Sequence, residues 1–183
     1  MDIPKPYIIL RDEEKLELLP DSPGMYFWHF QNIDELFSEE QKEKLYLDSV
    51  MKSNGYFLLY IGIAERQSIK QRITDKHLNS AHVSTLRHSI GVLLANKARL
   101  KPSLIVEAGK FAIDKDWGVE KRITEYLKEN AKISWIIDEN PNRLETFLLD
   151  NYKRRSFPLN INKNRNHPFC EIIVNLRKKY LRC

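Results

Sequence analysis

Two tyrosines occupy similar places in two apolar segments, where their phenols could take part in chemistry. Tyr26 follows a turn-forming run, and Tyr60 lies near the end of YFLLYIGIA, two residues before Gly62. A phenol at the end of a strand keeps its ring buried and presents its hydroxyl to a polar cleft. Gly62 removes a side chain where the strand leaves the sheet, which lets another group approach closely. Taken alone, each tyrosine is also typical of core or edge packing.

Two basic residues, Arg72 and Lys76, follow the second tyrosine in the helix-like stretch QSIKQRITDKHL. One helical turn separates them, so both side chains can point the same way. Such a pair could hold a phosphate, with the planar guanidinium making parallel hydrogen bonds. It could equally form a solvated helix face, and the two residues alone leave both interpretations open.

A carboxylate, Glu145, lies in the predicted helix NRLETFLLDNY. Helical periodicity predicts that one side of this helix carries Leu144, Phe147, Leu148 and Asn151. Glu145 is predicted to lie at the margin of this apolar stripe. A half-sheltered carboxylate suits a hard cation such as Mg²⁺. The alternative is a surface glutamate near a helix start, which the helix dipole favours.

Local patterns predict the elements that position these residues. Strands are predicted at MYFWHF, YFLLYIGIA, KISWIID and, less clearly, KFAI, because they are rich in aromatic and β-branched residues. Helices are predicted at IDELFSEEQKEKLYLDSVMK, which ends at Ser53-Asn54-Gly55, and at QSIKQRITDKHL, STLRHSIGVLLANKA with Ser84 as its cap, WGVEKRITEYLKENA, NPNRLETFLLDNYKR and EIIVNLRKKYL. This order predicts a small α/β domain with about three strands covered on both faces by helices.

Charge is unevenly distributed along the 183 residues, although the net charge is only +5. Residues 1–50 contain 5 Lys/Arg and 12 Asp/Glu, whereas residues 151–183 contain 9 and 1. A basic region of this kind suggests contact with a polyanion, and a solvated basic tail is the alternative.

Composition excludes several classes of protein. No apolar stretch approaches the roughly 20 residues that span a bilayer, and the first residues lack the pattern of a secretory signal. Cys170 and Cys183 form neither a metal-binding spacing nor a disulfide framework. We therefore expect a cytoplasmic protein that does not contact membranes.

The ordered set of motifs resembles the GIY-YIG nuclease family. The set comprises Gly24-Met25-Tyr26, Tyr60-Ile61-Gly62, Arg72, Glu145 and FPLNINKN. The segments STLRHSIGVLL and NHPF further resemble a bacterial branch of GIY-YIG proteins of about this length. The similarity extends from Gly24 to Leu176. Each tripeptide alone is weak, but the order and spacing of the set are specific.

The resemblance implies a metal-dependent DNA endonuclease, with a role for each matching residue. Tyr26 would be the general base that activates the water, or would orient it. Tyr60 would form a hydrogen bond at the phosphate and support Tyr26, and Arg72 would bind the scissile phosphate. Glu145 would be the sole protein ligand of one Mg²⁺ or Mn²⁺ ion. A tyrosine base has an ordinary pKa near 10, and Arg72, Lys76 or the metal would have to lower it. Asn160 would steady the site from the loop after the glutamate helix. We expect Lys76, Asn160 and Lys163 to contact the substrate.

The chain departs from the family after Arg72. The family often has a histidine or tyrosine one helical turn later, where this chain has Lys76, and His77 follows one residue beyond. On a continuous α-helix His77 would be turned away from Arg72. Either the helix ends early and His77 swings in as a catalytic residue, or Lys76 takes that position.

The expected architecture is a single GIY-YIG domain over residues 1–183, with its core at about 22–176. It would contain a small, mostly antiparallel three-stranded sheet flanked by helices on both faces. An acidic helical insertion at about 31–54 would separate the first two strands, at the side of the sheet or against a partner. In the basic region 151–183, we expect Lys153, Arg154, Arg155, Lys163 and Arg165 to track DNA phosphates.

Two other functions compete with a nuclease. One is a non-catalytic nucleic-acid-binding protein that keeps the fold, which the full set of candidate catalytic residues argues against. The other is an interaction protein whose acidic insertion recruits a nuclease partner. The sequence leaves open a homodimer, the DNA structure that is recognised and the biological pathway.

Overall fold

The computed structural model describes residues 3–45, 50–79, 84–98, 104–107, 110–113, 119–151, 157–164 and 167–181. Its strands are β1 (Ile8–Ile9), β2 (Gly24–Phe30), β3 (Lys52–Ser53), β4 (Tyr56–Ala64), β5 (Leu104–Glu107), β6 (Lys110–Ile113) and β7 (Ala131–Ile137). Five of them form an antiparallel sheet in the order β1-β7-β2-β4-β3, and β5 and β6 form a separate hairpin. The antiparallel α/β architecture predicted from the sequence is therefore confirmed.

The helices are α1 (Glu13–Leu16), α2 (Glu39–Leu45), α3 (Ile69–Gln71), α4 (Thr85–Lys97), α5 (Val119–Asn130), α6 (Pro141–Asn151) and α7 (Pro168–Leu181). A 3₁₀ turn covers Ile33–Glu35, and a π-helical turn, Arg72–His77, continues α3. Ser84 caps α4, as predicted, by accepting the backbone N–H of Arg87. No helix in the described part of the chain is both long and apolar enough to cross a bilayer.

The central strand β2 is buried along its whole length because β4 and β7 flank it and helices cover both faces. On one face Tyr26, Trp28 and Phe30 join the larger core with α4, α5 and α7. On the other face Met25 and Phe27 form a second cluster. Its other members include Leu148 and Leu149 of α6 and Phe157, which follows α6 in the chain. Alternation along β2 thus assigns Tyr26 to the face opposite α6.

The sheet has two more strands than predicted. β1 adds to β7 at one edge, and β3 pairs with the start of β4 at the other. The prediction read Ser53-Asn54-Gly55 as the end of a helix, but Asn54 and Gly55 have φ of 51° and 80°. Two successive positive φ values make the two-residue turn of a hairpin, which Asn-Gly favours. The turn therefore creates β3 instead of ending a helix.

The acidic insertion contributes to the main core. Its described part contains the 3₁₀ turn and α2 rather than one long helix, so the predicted helix was wrong in extent. Ile33, Leu36, Phe37 and Leu45 are buried in the larger core. The ring of Phe37 contacts that of Phe169 in α7, with centroids 5.2 Å apart. The insertion thus packs against α7 and turns its acidic residues outward.

The segment 157–164 covers the outer edge of β4. Leu159 N–H donates to Leu59 O (3.0 Å), at a bulge where the register between β2 and β4 shifts. The side chain of Asn160 accepts from Ile61 N–H (2.9 Å) and donates to Ile61 O (2.7 Å). These bonds satisfy backbone groups that an edge strand would otherwise expose, and they fix the segment beside the strand that carries Tyr60 and Gly62.

Buried histidines make the fold sensitive to acid. His29 in β2 is buried and hydrogen-bonded to Ser134 (2.8 Å), and burial lowers its pKa to about 4. The unfolded chain, with an ordinary histidine pKa, binds the proton first as pH falls below about 6.5. Because the unfolded state then holds more protons, stability decreases on acidification.

We predict that the free energy of unfolding falls between pH 7.5 and pH 5, with about 2 kcal/mol of the loss due to His29. His29→Gln keeps a donor for Ser134 but cannot titrate, so its loss should be smaller. Urea unfolding at both pH values measures the difference. His167, whose pKa burial also lowers to about 4, remains in the variant, so some pH dependence should persist. An equal loss in both proteins would contradict the assignment to His29.

Candidate active site

A cleft of about 220 Å³ brings together residues that are far apart in the sequence. Of the residues predicted from the sequence to form a site, those that line it are Tyr26, Tyr60, Arg72, Glu145, Asn160 and Lys163. His77 is fully buried behind the tyrosines, and Lys76 is not part of the lining. The structure therefore gives the position after Arg72 to His77.

Gly62 allows the phenol of Tyr26 to take its place in the cleft. The two residues are paired across β2 and β4. A Cβ at Gly62 would lie 2.4 Å from the Tyr26 hydroxyl oxygen and 2.5 Å from Cζ, well inside van der Waals contact. The ring thus lies over the bare backbone of Gly62. β4 has the predicted range, YFLLYIGIA, and continues two residues beyond Gly62 to Ala64.

The π turn brings His77 to the same side as Arg72. Five residues along an α-helix rotate the side chain to about 140° from its starting direction. In this turn Leu78 N–H donates to Ile73 O (2.9 Å), five residues back, and the wider turn realigns the two side chains. His77 thus swings in, as one of the two alternatives expected, but through a π turn that continues α3, and Lys76 does not take the position.

Hydrogen bonds at both ring nitrogens define the tautomer of His77. Nε2 lies 2.7 Å from the Tyr26 hydroxyl and Nδ1 lies 2.7 Å from Ser84 Oγ. Ser84 Oγ already accepts Arg87 N–H, and no other described acceptor is in reach of the buried Ser84 hydroxyl. This pattern favours Ser84 as the donor to Nδ1, which puts the imidazole proton on Nε2 as a donor to Tyr26.

Two donors consequently converge on one phenolic oxygen. Besides His77 Nε2, the Nε of Arg72 donates to the Tyr26 hydroxyl at 3.3 Å. Both can stabilise negative charge on that oxygen. Because the oxygen accepts from both sides, its own proton is left to point into the cleft.

Burial dominates the acid–base properties of the three rings. It raises the pKa of Tyr26 to about 12, although the nearby Arg72 lowers it in part. Arg72 alone therefore does not bring this pKa below 10, because desolvation of the phenolate outweighs it. Burial likewise raises the pKa of Tyr60. Burial, with Arg72 and Arg87 adding repulsion, holds the pKa of His77 well below its ordinary value, so this imidazole is neutral.

Glu145 is more buried than predicted. With Pro141, Leu148 and Leu149 it forms the buried face of α6, because three- and four-residue steps lie on one side of a helix. Phe147, which the pattern placed on the apolar side, is half exposed. Glu145 is 7% exposed, and its Oε2 accepts from Lys163 Nζ at 2.5 Å.

This carboxylate fits a hard divalent cation. The ammonium of Lys163 shows that a cation can be accommodated at Oε2, on the side of the carboxylate that lines the cleft. In the part of the chain that the structure describes, no group of three His, Cys, Asp or Glu could enclose a metal. A single carboxylate is sufficient for Mg²⁺, which keeps several waters and is completed by substrate phosphates.

Two polar residues that contact His77 from outside the cleft were not singled out by the sequence. Ser84 was predicted only as a helix cap, and Arg87, in the same segment, was not assigned a role. Nothing in the neighbouring sequence marks these two residues as functional, because their hydrogen-bond partners lie in other elements. The predicted phosphate contacts Lys153, Arg154, Arg155 and Arg165 lie outside the described residues.

A comparison with protein families is consistent with this geometry. A family model described as the GIY-YIG catalytic domain matches residues 24–179, which is most of the chain. No curated protein and no solved structure matches the chain significantly. The matched range begins at the glycine that opens β2 and includes the complete cleft.

We predict that Gly62→Ala lowers the free energy of unfolding by about 1–3 kcal/mol through overpacking against the Tyr26 ring. In a Tyr26→Leu background the aromatic atoms that the Cβ meets are gone, so the same change should cost less than half as much. Urea unfolding of the four proteins measures this coupling. Additive effects would show that the Tyr26 ring does not lie over Gly62.

Proposed function

Because this chain belongs to the GIY-YIG catalytic-domain family, a nuclease-type domain that acts on nucleic acid, we propose that it is a metal-dependent DNA endonuclease. The reaction is hydrolysis of a phosphodiester bond, with water as the nucleophile. Tyr26, His77, Arg72 and Glu145 are the residues that carry it.

One observation supports the proposal most strongly: a proton acceptor, a phosphate binder and a metal-binding carboxylate face one cleft. Tyr26, Arg72 and Glu145 come from β2, the π turn and α6, and all three line the same space. In-line phosphoryl transfer depends on such positioning and on neutralising charge at the phosphate oxygens.

Glu145 is the residue that would hold Mg²⁺ or Mn²⁺. When bound, such an ion supplies charge neutralisation at the phosphoryl oxygen and at the leaving oxygen. Before it binds, Lys163 is the counter-charge of the buried carboxylate. Lys163 is half exposed and also lies 3.4 Å from Asn142 Oδ1, so it can move from Glu145 to a substrate phosphate.

Arg72 is suited to the scissile phosphate. Its Nε–H is used on Tyr26, and no described residue accepts a hydrogen bond from its terminal amino groups. These groups can form a bidentate contact with a phosphate. One guanidinium would therefore hold the phosphate and the base side by side.

Tyr26 is the proposed proton acceptor. As a phenolate it would accept hydrogen bonds from His77 Nε2 and Arg72 Nε, which already point at its oxygen. A neutral His77 acts here as a donor, because burial opposes the imidazolium that a proton relay would create. The water proton would be taken by the Tyr26 oxygen, on the side that faces the cleft.

Tyr60 and Asn160 have supporting roles. The ring of Tyr60 packs 6.2 Å from that of His77 and lines the cleft beside Tyr26, so it shields the base from bulk water. Both polar ends of the Asn160 side chain are bonded to Ile61. Asn160 therefore steadies the cleft wall that carries Lys163, rather than contacting a phosphate.

A cleavage assay tests the proposal. We predict that the protein nicks or cuts duplex, branched or single-stranded DNA in Mg²⁺ or Mn²⁺ and does not do so in EDTA. Glu145→Gln should abolish cleavage and spare DNA binding, because it removes a ligand charge and little volume. Mn²⁺ binding, followed by electron paramagnetic resonance, should weaken in this variant and strengthen in Lys163→Met, in which the competing ammonium is absent.

Binding of DNA without cleavage under all these conditions would favour the non-catalytic alternative. Full activity of Glu145→Gln would remove Glu145 from the site. Partner recruitment by the acidic insertion could not be tested by deleting residues 32–53, because the deletion would remove part of the core.

We further predict that Tyr26→Phe lowers turnover about 100- to 10,000-fold with little change in DNA binding, as expected for loss of positioned proton transfer.

In the parent, turnover should rise with pH between 6 and 9. The pKa of about 12 lies above this range, so the phenolate fraction grows tenfold per pH unit. Single-turnover rates across this range, with thermal melting as the folding control, measure both effects.

Arg72→Ala should also reduce turnover, and the double variant should lose much less than the product of the two single effects. A Tyr26→Phe protein that folds normally and cleaves at the parental rate would exclude Tyr26 as the base.

A further inference from the structure

The π turn has to be held in place by its surroundings. Turns with five-residue hydrogen bonds are rare in proteins and often mark functional sites. Without restraint, the segment Arg72–His77 would be expected to relax towards α-helical geometry, which turns His77 away from Arg72. The residues that contact the end of the turn therefore decide where His77 lies.

Arg87 in α4 makes that contact with its guanidinium. The side chain is completely buried, and each nitrogen has a partner on the π turn or on α5. Nη1 donates to His77 O (3.0 Å) and Thr124 Oγ1 (3.0 Å). Nη2 donates to Glu120 O (2.9 Å) and Glu120 Oε2, which Nε also reaches (3.1 Å). These contacts match the five N–H donors of a guanidinium.

The contacts of Arg87 join the last residues of the turn to α5. His77 O is bound directly, and Thr124 Oγ1 lies 3.3 Å from Leu78 O, the next carbonyl along the chain. The carboxylate of Glu120 compensates the buried positive charge. A lysine could not replace this arrangement, because a single ammonium lacks the planar fork.

The backbone of Arg87 acts on the other side of the same histidine. Its N–H donates to Ser84 Oγ, and this bond directs the Ser84 hydroxyl proton to His77 Nδ1. One residue thus contacts the carbonyl of His77 with its side chain and the hydrogen-bond partner of the His77 ring with its backbone.

We propose that Arg87 is a positioning residue for the pair Tyr26–His77, acting through the π turn together with Glu120 and Thr124. Arg87 touches neither the cleft nor Tyr26. Its effect on the reaction would be to keep Nε2–H of His77 aimed at the Tyr26 oxygen. This inference rests on the proposed function for its effect on turnover, but not for its effect on His77.

The first test is spectroscopic and needs no cleavage. Histidine ¹⁵N chemical shifts distinguish the Nε2–H from the Nδ1–H tautomer, and His77→Asn assigns the signals. We expect the parent to show a single Nε2–H form for His77. Arg87→Lys should give exchange broadening or a mixture of tautomers. Thr124→Val, which removes one contact of the same set, should cause a smaller change in the same direction.

Tyr126→Phe is the matched control. Tyr126 lies on the same helix as Thr124, and its hydroxyl bonds to Asn32 O, away from the turn. Loss of this hydroxyl should leave the His77 signals unchanged. If Arg87→Lys does not fold, Thr124→Val and Glu120→Gln still separate the outcomes. Unchanged His77 signals in every folded variant of the set would overturn the proposal.

The second test is kinetic. Arg87→Lys should lower kcat about 10- to 100-fold and leave KM for DNA unchanged, because the residue does not face substrate. In a His77→Ala background the same change should lower kcat by less than twofold, since the side chain it positions is absent. Equal losses in both backgrounds would show that Arg87 acts on stability alone. If no variant and no parent cleaves DNA, the proposed function fails, while the spectroscopic result still decides the role of Arg87.

Discussion

The hydrogen bond between the Tyr26 hydroxyl and His77 Nε2 is the interaction on which the rest of the site depends. At 2.7 Å it joins the central strand of the sheet to the helical segment that follows β4. The bond requires three separate features: a glycine where the phenol lies, a π turn that rotates the imidazole inward, and a serine that fixes the ring proton. Each comes from a different element, so the geometry of the pair depends on packing throughout the larger core.

Desolvation sets the chemical character of this pair. Burial keeps His77 neutral and makes Tyr26 a weaker acid than a tyrosine in water. The same burial increases the effect of every hydrogen bond and charge directed at the phenolic oxygen. A tyrosine that is a poor acid at rest becomes a strong acceptor once it loses its proton. Burial therefore lowers the fraction of Tyr26 that is phenolate and makes that phenolate a stronger base.

The sequence predicted the participants of the site better than their arrangement. Tyr26, Arg72 and Glu145 were identified by motif order, and antiparallel α/β architecture followed from the same resemblance. The π turn could not be foreseen, because its segment contains no helix-breaking residue and its contacts, such as that of Arg87, come from other elements. Strand β3 was missed because Asn54-Gly55 fits either a helix end or a hairpin. Burial of Glu145 depended on how α6 lies on the sheet, which helical periodicity alone does not give.

The short segment 157–164 links two properties that are usually independent. Its backbone and Asn160 cover the edge of β4, and a few residues later Lys163 reaches Glu145. A local opening of this segment would expose strand groups capable of pairing with another chain and would, at the same time, remove the counter-charge from a buried carboxylate. Binding of a nucleic acid that contacts Lys163 in the cleft would oppose that opening, whereas a cation that replaces Lys163 at Glu145 would remove one of the contacts that hold the segment. Protection of the chain against edge-to-edge aggregation is thereby coupled to occupancy of the cleft.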